Sequence, residues 1–480
     1  MQESVEKCEI LGVGLFILGL MIEMVSAGDL NPPGPPTSGT MKTIDQASPR
    51  IAISYATTPG DENSIYKISQ PGSYYLTGNI TGRLNKHGIV IDAEDVCLDL
   101  CGFAISGVPN SMSGVKVKDV SSPLLNEDVS FVSIKNGTIR AFGENGIHIC
   151  GDRYVHIEEV SFAYNGGNGL QAEPNSCIHL ENVSFVHNTG HGILLGVCTN
   201  LDAYSGYASH NGGDGMHVCG DAYIHTEEVS FSHNGGHGMQ MNAPAAKIHG
   251  HLEDVSFTYN VGDGLYINVN SCDPLPLEEV SFNHNGGRGL YVNTTQASEI
   301  PMEQVSFTRN SSHGAVLGMM TNVDAYGTCI SNSNGGSGII LDGWWGICHA
   351  WTSIGNNGTG IQVGSGGTLK NCMVCGNTGD GILVASNCSV TNCTCKNNGT
   401  TGGVDICAGI HVTGSGNRIE GNHVIGNNIG INIETGGNLI IKNSATGNTT
   451  ANYDIAGGNT QGPTVGGYIS SDNPHANYDF

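Results

Sequence analysis

Val229–Met241 reads VSFSHNGGHGMQM, and close copies stand at Val160–Ala172 (VSFAYNGGNGLQA), Val183–Leu195 (VSFVHNTGHGILL) and Val280–Val292 (VSFNHNGGRGLYV). The asparagine closing each VSFxxN recurs at Asn165, Asn188, Asn211, Asn234, Asn260, Asn285, Asn310 and Asn334, and the count continues at Asn357 and Asn377, in steps of 20 to 26 residues. A period of that length without a helical stripe marks one supersecondary unit per repeat, stacked on its neighbours. Val229 and Phe231 flank an outward Ser230, and Met239 and Met241 flank an outward Gln240. Both stretches alternate with period two, so each reads as a short strand with one buried face. Leucine-rich repeats share the period but need an L-x-x-L-x-L pattern that is absent here. The spacing therefore predicts an all-β, single-stranded parallel β-helix. Its asparagines are expected to form a ladder of carboxamides from coil to coil. Its glycines are expected at corners that need positive φ and close backbone approach.

Gly supplies 72 of 480 residues, about twice ordinary usage, while 38% hydrophobic residues leave enough apolar surface for a core. The net charge of −25 repels phosphate backbones and anionic lipid, and no basic patch with interleaved aromatics appears. Nucleic acid is excluded as a partner. Ile10–Ile22 is an apolar run too short to span a bilayer comfortably, and Val25-Ser26-Ala27 looks like a cleavage site. Residues 1–27 are expected to be a signal peptide, which implies a secreted or surface protein without stable membrane insertion after cleavage; the alternative is an anchor. Residues 28–64, with NPPGPPTSG, read as a Pro-rich linker, 65–460 as the β-helix, and 461–480 as a tail. The 16 cysteines fit neither paired zinc motifs nor a compact disulfide framework. Cys372 and Cys393 occupy equivalent places one repeat apart, where a disulfide or two small core residues are both compatible with a strand spacing of about 4.8 Å.

Equivalent positions of a solenoid line up as columns on its surface. The fourth letter of NGGxG runs Asn168, His191, Asp214, His237, Asp263, Arg288, His313, Ser337. It is either a metal- or proton-handling stripe or a set of residues that tolerate a positive-φ corner. The letter before the asparagine runs Tyr164, His187, His210, His233, Tyr259, His284, Arg309, Ser333. Those side chains either bind a divalent ion or sugar rings, or stack on one another. The outward letter of the second strand runs His148, Gln171, Leu194, His217, Gln240, Tyr266, Tyr291, with Trp344 nearby, and suits a glycan chain or a plain amphipathic face. Glu158, Glu181, Glu227, Glu253, Glu278 and Glu303 form a like-charged column broken by Tyr204. Such a column needs solvent, protonated neighbours (His156, His179, His225) or Ca²⁺, for which Glu227, Glu253 and Glu278 are the candidates. No cofactor besides Ca²⁺ is suggested.

GDLNPPGPPTSGTMKTIDQASPRIAI (from Gly28), GIVIDAEDVCLDLCGFAISG (Gly88–Gly107), GNRIEGNHVIGNNIGINI (from Gly416) and NPHANYDF (from Asn473) resemble stretches of secreted bacterial right-handed parallel β-helix repeat-containing proteins. The resemblance implies a right-handed, pectin-lyase-like helix and export; the activity of that family is mostly unassigned. β-Helices also host pectin lyases, polygalacturonases and alginate epimerases, so catalysis has to be argued from the site. GHG at Gly190–Gly192 and Gly236–Gly238 looks like a polygalacturonase signature, but that hydrolysis also needs paired carboxylates, and the N-T-D and D-D motifs of that family are absent. A lyase needs a base and a cation for the enolate, and His284, Arg288, Tyr291 and Arg309 are the residues in range. The reading is an exported protein that binds polysaccharide or another surface partner. The alternatives are a lyase- or epimerase-type enzyme on acidic polysaccharide and a structural or adhesive rod.

Overall fold

A computed structural model of the chain describes residues 50–118, 131–151, 153–318, 321–343, 346–399, 407–467 and 471–480. The proposed signal peptide, most of the Pro-rich segment and Trp344 lie outside the described residues. Among those residues no helix forms, and the named strands pair in parallel with the copy one coil above and below.

One coil shows how the repeat folds. Ala222–Ser232 is a strand bent at Glu228, whose φ is 55°. His233 makes a second bend with φ 55°, and the buried Asn234 turns the chain into the glycine run that leads to Met239. The equivalent residues Glu159, Asn182, Asp254 and Glu279, and Tyr164, His187, His210, Tyr259 and His284, share these left-handed conformations. Two single-residue kinks per coil thus fold one chain into three strand segments. Positive φ falls on these residues and not on the glycines of the corner, which corrects the expectation from sequence. Those glycines are required by proximity: a Cβ on Gly215 would stand 2.5 Å from the Gly238 carbonyl, and one on Gly235 would stand 2.3 Å from that of Gly212.

The bends aim one side of every segment inward. Phe231, Phe257, Phe282 and Phe307 stack at 4.9–5.3 Å with planes within 11° of parallel, each fully buried. Ala208 takes the place of a phenylalanine in this column, and a small apolar void lined by Phe185, Met216 and Phe231 lies beside it.

The asparagine ladder forms as expected. Asn188 Nδ2 donates to Asn211 Oδ1 at 3.0 Å and to the Phe162 carbonyl at 3.1 Å, while its backbone N–H donates to the same Asn211 Oδ1 at 3.1 Å. Both amide hydrogens and both oxygen lone pairs are thereby used in a site closed to water. The run continues through Asn334 to Asn356, not to Asn357, and on to Asn377, Asn398, Asn427 and Asn448. Asn417–Asn438–Asn459 and Asn422–Asn443–Asn477 form two more ladders at other corners of the last coils.

The sheet reaches into both segments set apart as linker and tail. Arg50–Ala52 pairs with Gly72–Tyr75, and Asn477–Asp479 pairs with Ser444–Thr446, because the apolar residues and the final ladder asparagine there complete coil positions. Cys372 and Cys393 do meet in the core, as two hydrogen-bonded free thiols. Cys393 also heads a ladder corner, its N–H donating to Asn422 Oδ1 at 2.8 Å, as the Cys388 N–H does to Asn417 Oδ1 at 2.8 Å.

Replacing Asn211 by Ala is expected to strand the Asn188 amide hydrogens and the Phe185 carbonyl in the core. The loss should be about 2–4 kcal/mol, read as a lower denaturation midpoint and as faster proteolysis within the neighbouring coils, since a solenoid opens locally.

Candidate functional site

The strands Ile147–Ile149, Leu170–Ala172, Ile193–Leu195 and Met216–Val218, with their successors, each bury the first and third side chain and turn the middle one outward. Register places His148 beside Gln171, then Leu194, His217, Gln240, Tyr266 and Tyr291 in order. Beyond Tyr291 the column is aliphatic at Val316 and Ile340 and then mixed, with Gln362, Leu383, His411 and Asn432. The middle residue of each strand thus faces outward as alternation predicts, and Val316 and Ile340 interrupt its polar run after Tyr291.

The fourth-letter column lies against it, and its composition has a hydrogen-bonding cause. Asn168 Oδ1 accepts the His191 N–H at 2.8 Å, His191 Nδ1 the Asp214 N–H at 2.9 Å, Asp214 Oδ1 the His237 N–H at 2.7 Å, and His237 Nδ1 the Asp263 N–H at 2.9 Å. Asn, Asp and His all carry an acceptor at the δ position, so they interchange. None of these residues has positive φ, so tolerance of a left-handed corner is not the reason.

Acceptance at one atom frees the rest of each side chain. Asp214 is buried, with 5% of its side chain exposed, and its Oδ2 takes the Nδ1–H of His217 at 2.8 Å and lies 3.3 Å from His191 Nδ1. Burial opposes its ionisation, but the hydrogen bonds from His217 Nδ1 and the His237 N–H outweigh that and hold its carboxyl below the usual range. His217, hydrogen-bonded to Asp214 and then to the Cys219 thiol, is pushed up to about 9. The centre of the face is thus a carboxylate–imidazolium pair with a thiol at its edge.

Further along, Arg288 donates from Nη2 to Asp263 Oδ2 at 2.9 Å and lies 3.7 Å over the Tyr291 ring. Tyr266 stacks between His237, at 4.9 Å, and Tyr291, at 5.2 Å. Of the four lyase candidates, Arg288 and Tyr291 meet here, with the guanidinium already paired. His284 and Arg309 stand at the bend before the asparagine, so the four do not assemble around one point.

That bend carries a stack of six rings, Tyr164, His187, His210, His233, Tyr259 and His284, spaced 4.8–5.0 Å apart. Successive rings lie against one another, so the inner rings have their faces flanked on both sides although Tyr259 stays 51% exposed and the end ring Tyr164 63%. The column braces a kink whose residues are held at positive φ.

The acidic column is also in register: Glu158, Glu181, Tyr204, Glu227, Glu253, Glu278 and Glu303 follow one another coil by coil, beside His156, His179, Asp202, His225 and His251. His156, desolvated and next to His179, has its pKa lowered, so it is no protonated neighbour for the glutamates. His225, hydrogen-bonded to Asp202, has its pKa raised. Of the Ca²⁺ candidates, Glu253 and Glu278 gather around His251, with Glu278 Oε1 3.3 Å from Nε2, and Glu227 is not in that group. The two carboxylates supply at most four of the 6–8 oxygens that calcium takes, and the third donor is a nitrogen.

Residues 145–307 match the family description of a right handed beta helix region. The fold is a right-handed parallel β-helix. No curated protein matches the chain. Among solved structures, the A-module of the mannuronan C-5 epimerase AlgE4 of Azotobacter vinelandii is 14% identical, with 85% of this chain and 90% of that chain covered and a TM-score of 0.28. Tailspike protein 3 of bacteriophage CBA120 is 9% identical, covering 73% and 52%, with a TM-score of 0.30. PfbA, a surface adhesin of Streptococcus pneumoniae, is 11% identical, covering 80% and 82%, with a TM-score of 0.24.

Sequence reasoning passed over Cys150, Glu173, Asp202 and Cys219. The signal was present for three of them: His148-Ile149-Cys150-Gly151 and His217-Val218-Cys219-Gly220 are one motif three coils apart, and Glu173 is the coil neighbour of the first.

The Asp214–His217 pair makes stability depend on pH. A raised His217 pKa contributes fully below about 6.5 and is lost as pH rises through about 9. The stability difference between wild type and His217→Gln should therefore be greatest near pH 6, on the order of 2 kcal/mol, and should shrink by about pH 10. Denaturant melts across that range check it.

Proposed function

We propose that this protein binds a neutral polysaccharide laid along the helix axis, on the strip between Asn145 and Asn293. The observation that carries the reading is three columns in register, one row per strand spacing of about 4.8 Å. The first offers Asn145, Asn168, His191 and His237. The second offers His148, Gln171, His217, Gln240, Tyr266 and Tyr291. The third carries Asn242, Asn268 and Asn293, whose amides hydrogen-bond one another at 2.9 Å on the exposed edge. A chain of repeating hydroxyls meets repeating donors and acceptors there. The side chains are held by their own ladders, so little freedom is lost on binding. Recognition is by hydrogen-bonding tips, because the faces of Tyr266 and Tyr291 are occupied by their ring neighbours. The charge of −25 disfavours a polyanion. The apolar run before Ala27 accords with export to the medium or the cell surface, where such a ligand is met.

A second reading rests on Asp214. A buried ionised carboxylate holding an imidazolium in the middle of the strip is the kind of perturbed pair that acid–base chemistry uses, with His217 as proton donor. In that case the β-helix is a lyase- or epimerase-type enzyme on the same strip.

A glycan array followed by calorimetry tests the first reading. Tyr266→Ala with Tyr291→Ala should weaken binding at least tenfold, roughly 1.4 kcal/mol, and leave the thermal melt within a few degrees. No glycan bound on the array overturns it in favour of a structural rod. New absorbance from unsaturated sugar ends, abolished by His217→Gln, selects the lyase form of the second reading.

A further inference from the structure

We propose that His148, Cys150 and Glu173 form a transition-metal site, suited to Zn²⁺, at the first-coil end of this strip. Two adjacent coils build it. Ile147 and Ile149 are fully buried, which forces His148 outward, and the Cys150 N–H is tied to the Val117 carbonyl at 2.9 Å. The Glu173 N–H is tied to the Ile149 carbonyl at 2.9 Å, so its backbone sits one coil above that of Cys150. Three donors of different kinds therefore converge from backbone that is already fixed.

The distances suit a tetrahedral ion. His148 Nε2 lies 3.7 Å from Cys150 Sγ and 2.9 Å from Glu173 Oε1, and the three donor atoms lie within 4.8 Å of one another. Zinc bond lengths of about 2.0–2.1 Å to nitrogen, 2.3 Å to sulfur and 2.0–2.2 Å to carboxylate oxygen imply N···S near 3.6 Å and N···O near 3.4 Å at tetrahedral angles. The thiol is already in place. The carboxylate has to open by about half an ångström, and the Glu173 side chain, 44% exposed, is free to do so.

Chemistry points the same way. Nε2 faces a carboxylate oxygen and a sulfur at once, so one nitrogen, one oxygen and one sulfur donor can turn lone pairs toward a common point. The mixed sulfur, nitrogen and oxygen set selects Zn²⁺, Co²⁺ or a similar ion over Ca²⁺ or Mg²⁺, and thiolate plus carboxylate balance two positive charges. Binding releases the thiol proton to solvent, as thiolate ligation requires. Three protein ligands leave a fourth position for water or a ligand atom.

The second His-x-Cys motif serves as an internal control. His217 is held by Asp214, and because Val218 is in register with Met241, the coil neighbour of Cys219 is Asn242, a neutral side chain where Glu173 stands in the first copy.

The full chain, metal-free and with its thiols reduced, should bind one equivalent of Co²⁺ with a thiolate-to-cobalt charge-transfer band that Zn²⁺ displaces. Cys150→Ser should abolish the band, Glu173→Gln should weaken binding at least tenfold, and Cys219→Ser should leave both unchanged, with unaltered melts in all three variants. Absence of the band in wild type, its survival in Cys150→Ser, or its loss in Cys219→Ser overturns the site. This readout is independent of glycan, so it fails or succeeds apart from the polysaccharide reading.

Discussion

A carboxamide sealed from water has two hydrogens and two lone pairs to place, and here each one places them on the same residue one coil away and on a carbonyl of the coil before. The Asn165–Asn448 ladder is the constraint on which the molecule depends. A slip of one residue in any coil would strand a full set of buried donors and acceptors, at a cost that core packing does not recover. Register is therefore held at every coil, and register makes columns.

The columns then divide the work. Phenylalanines on one inner face stack through the core, while the kinks between segments are taken by residues at positive φ whose rings brace one another. The fourth-letter column is a second ladder in which, from Asn145 to Arg288, the backbone N–H of one coil is received by a side chain of the previous one. That ladder accepts Asn, Asp or His equally well, so chemistry can vary there without loss of structure. Asp214 and His217 exploit this freedom: the acceptor role of Asp214 Oδ1 is structural, and its Oδ2 remains to hold an imidazolium.

The same logic separates surface features that look alike in sequence. The histidines before the ladder asparagines are spent on one another's faces. Those of the acidic column are partly desolvated and spaced by Asp202 and Tyr204. His148 and His217, one motif in two copies, differ because one looks onto Glu173 and the other is held by Asp214. Likeness of letters did not predict likeness of role, since each role depends on the coil above.

Period, strand alternation, the asparagine ladder and the outward column from His148 to Tyr291 were all legible in the chain itself, because each depends on short-range geometry repeated at a constant interval. What the glycines avoid, why Asn357 yields to Asn356, and why Arg50 and Asn477 belong to the sheet were settled by packing between coils. So was the scattering of His284, Arg288, Tyr291 and Arg309 over two corners. Convergence of His148, Cys150 and Glu173, and of His191, Asp214 and His217, is a matter of which side chains meet across a strand spacing. That depends on the bend each coil makes, and a bend at a single positive-φ residue leaves no mark in a one-dimensional pattern.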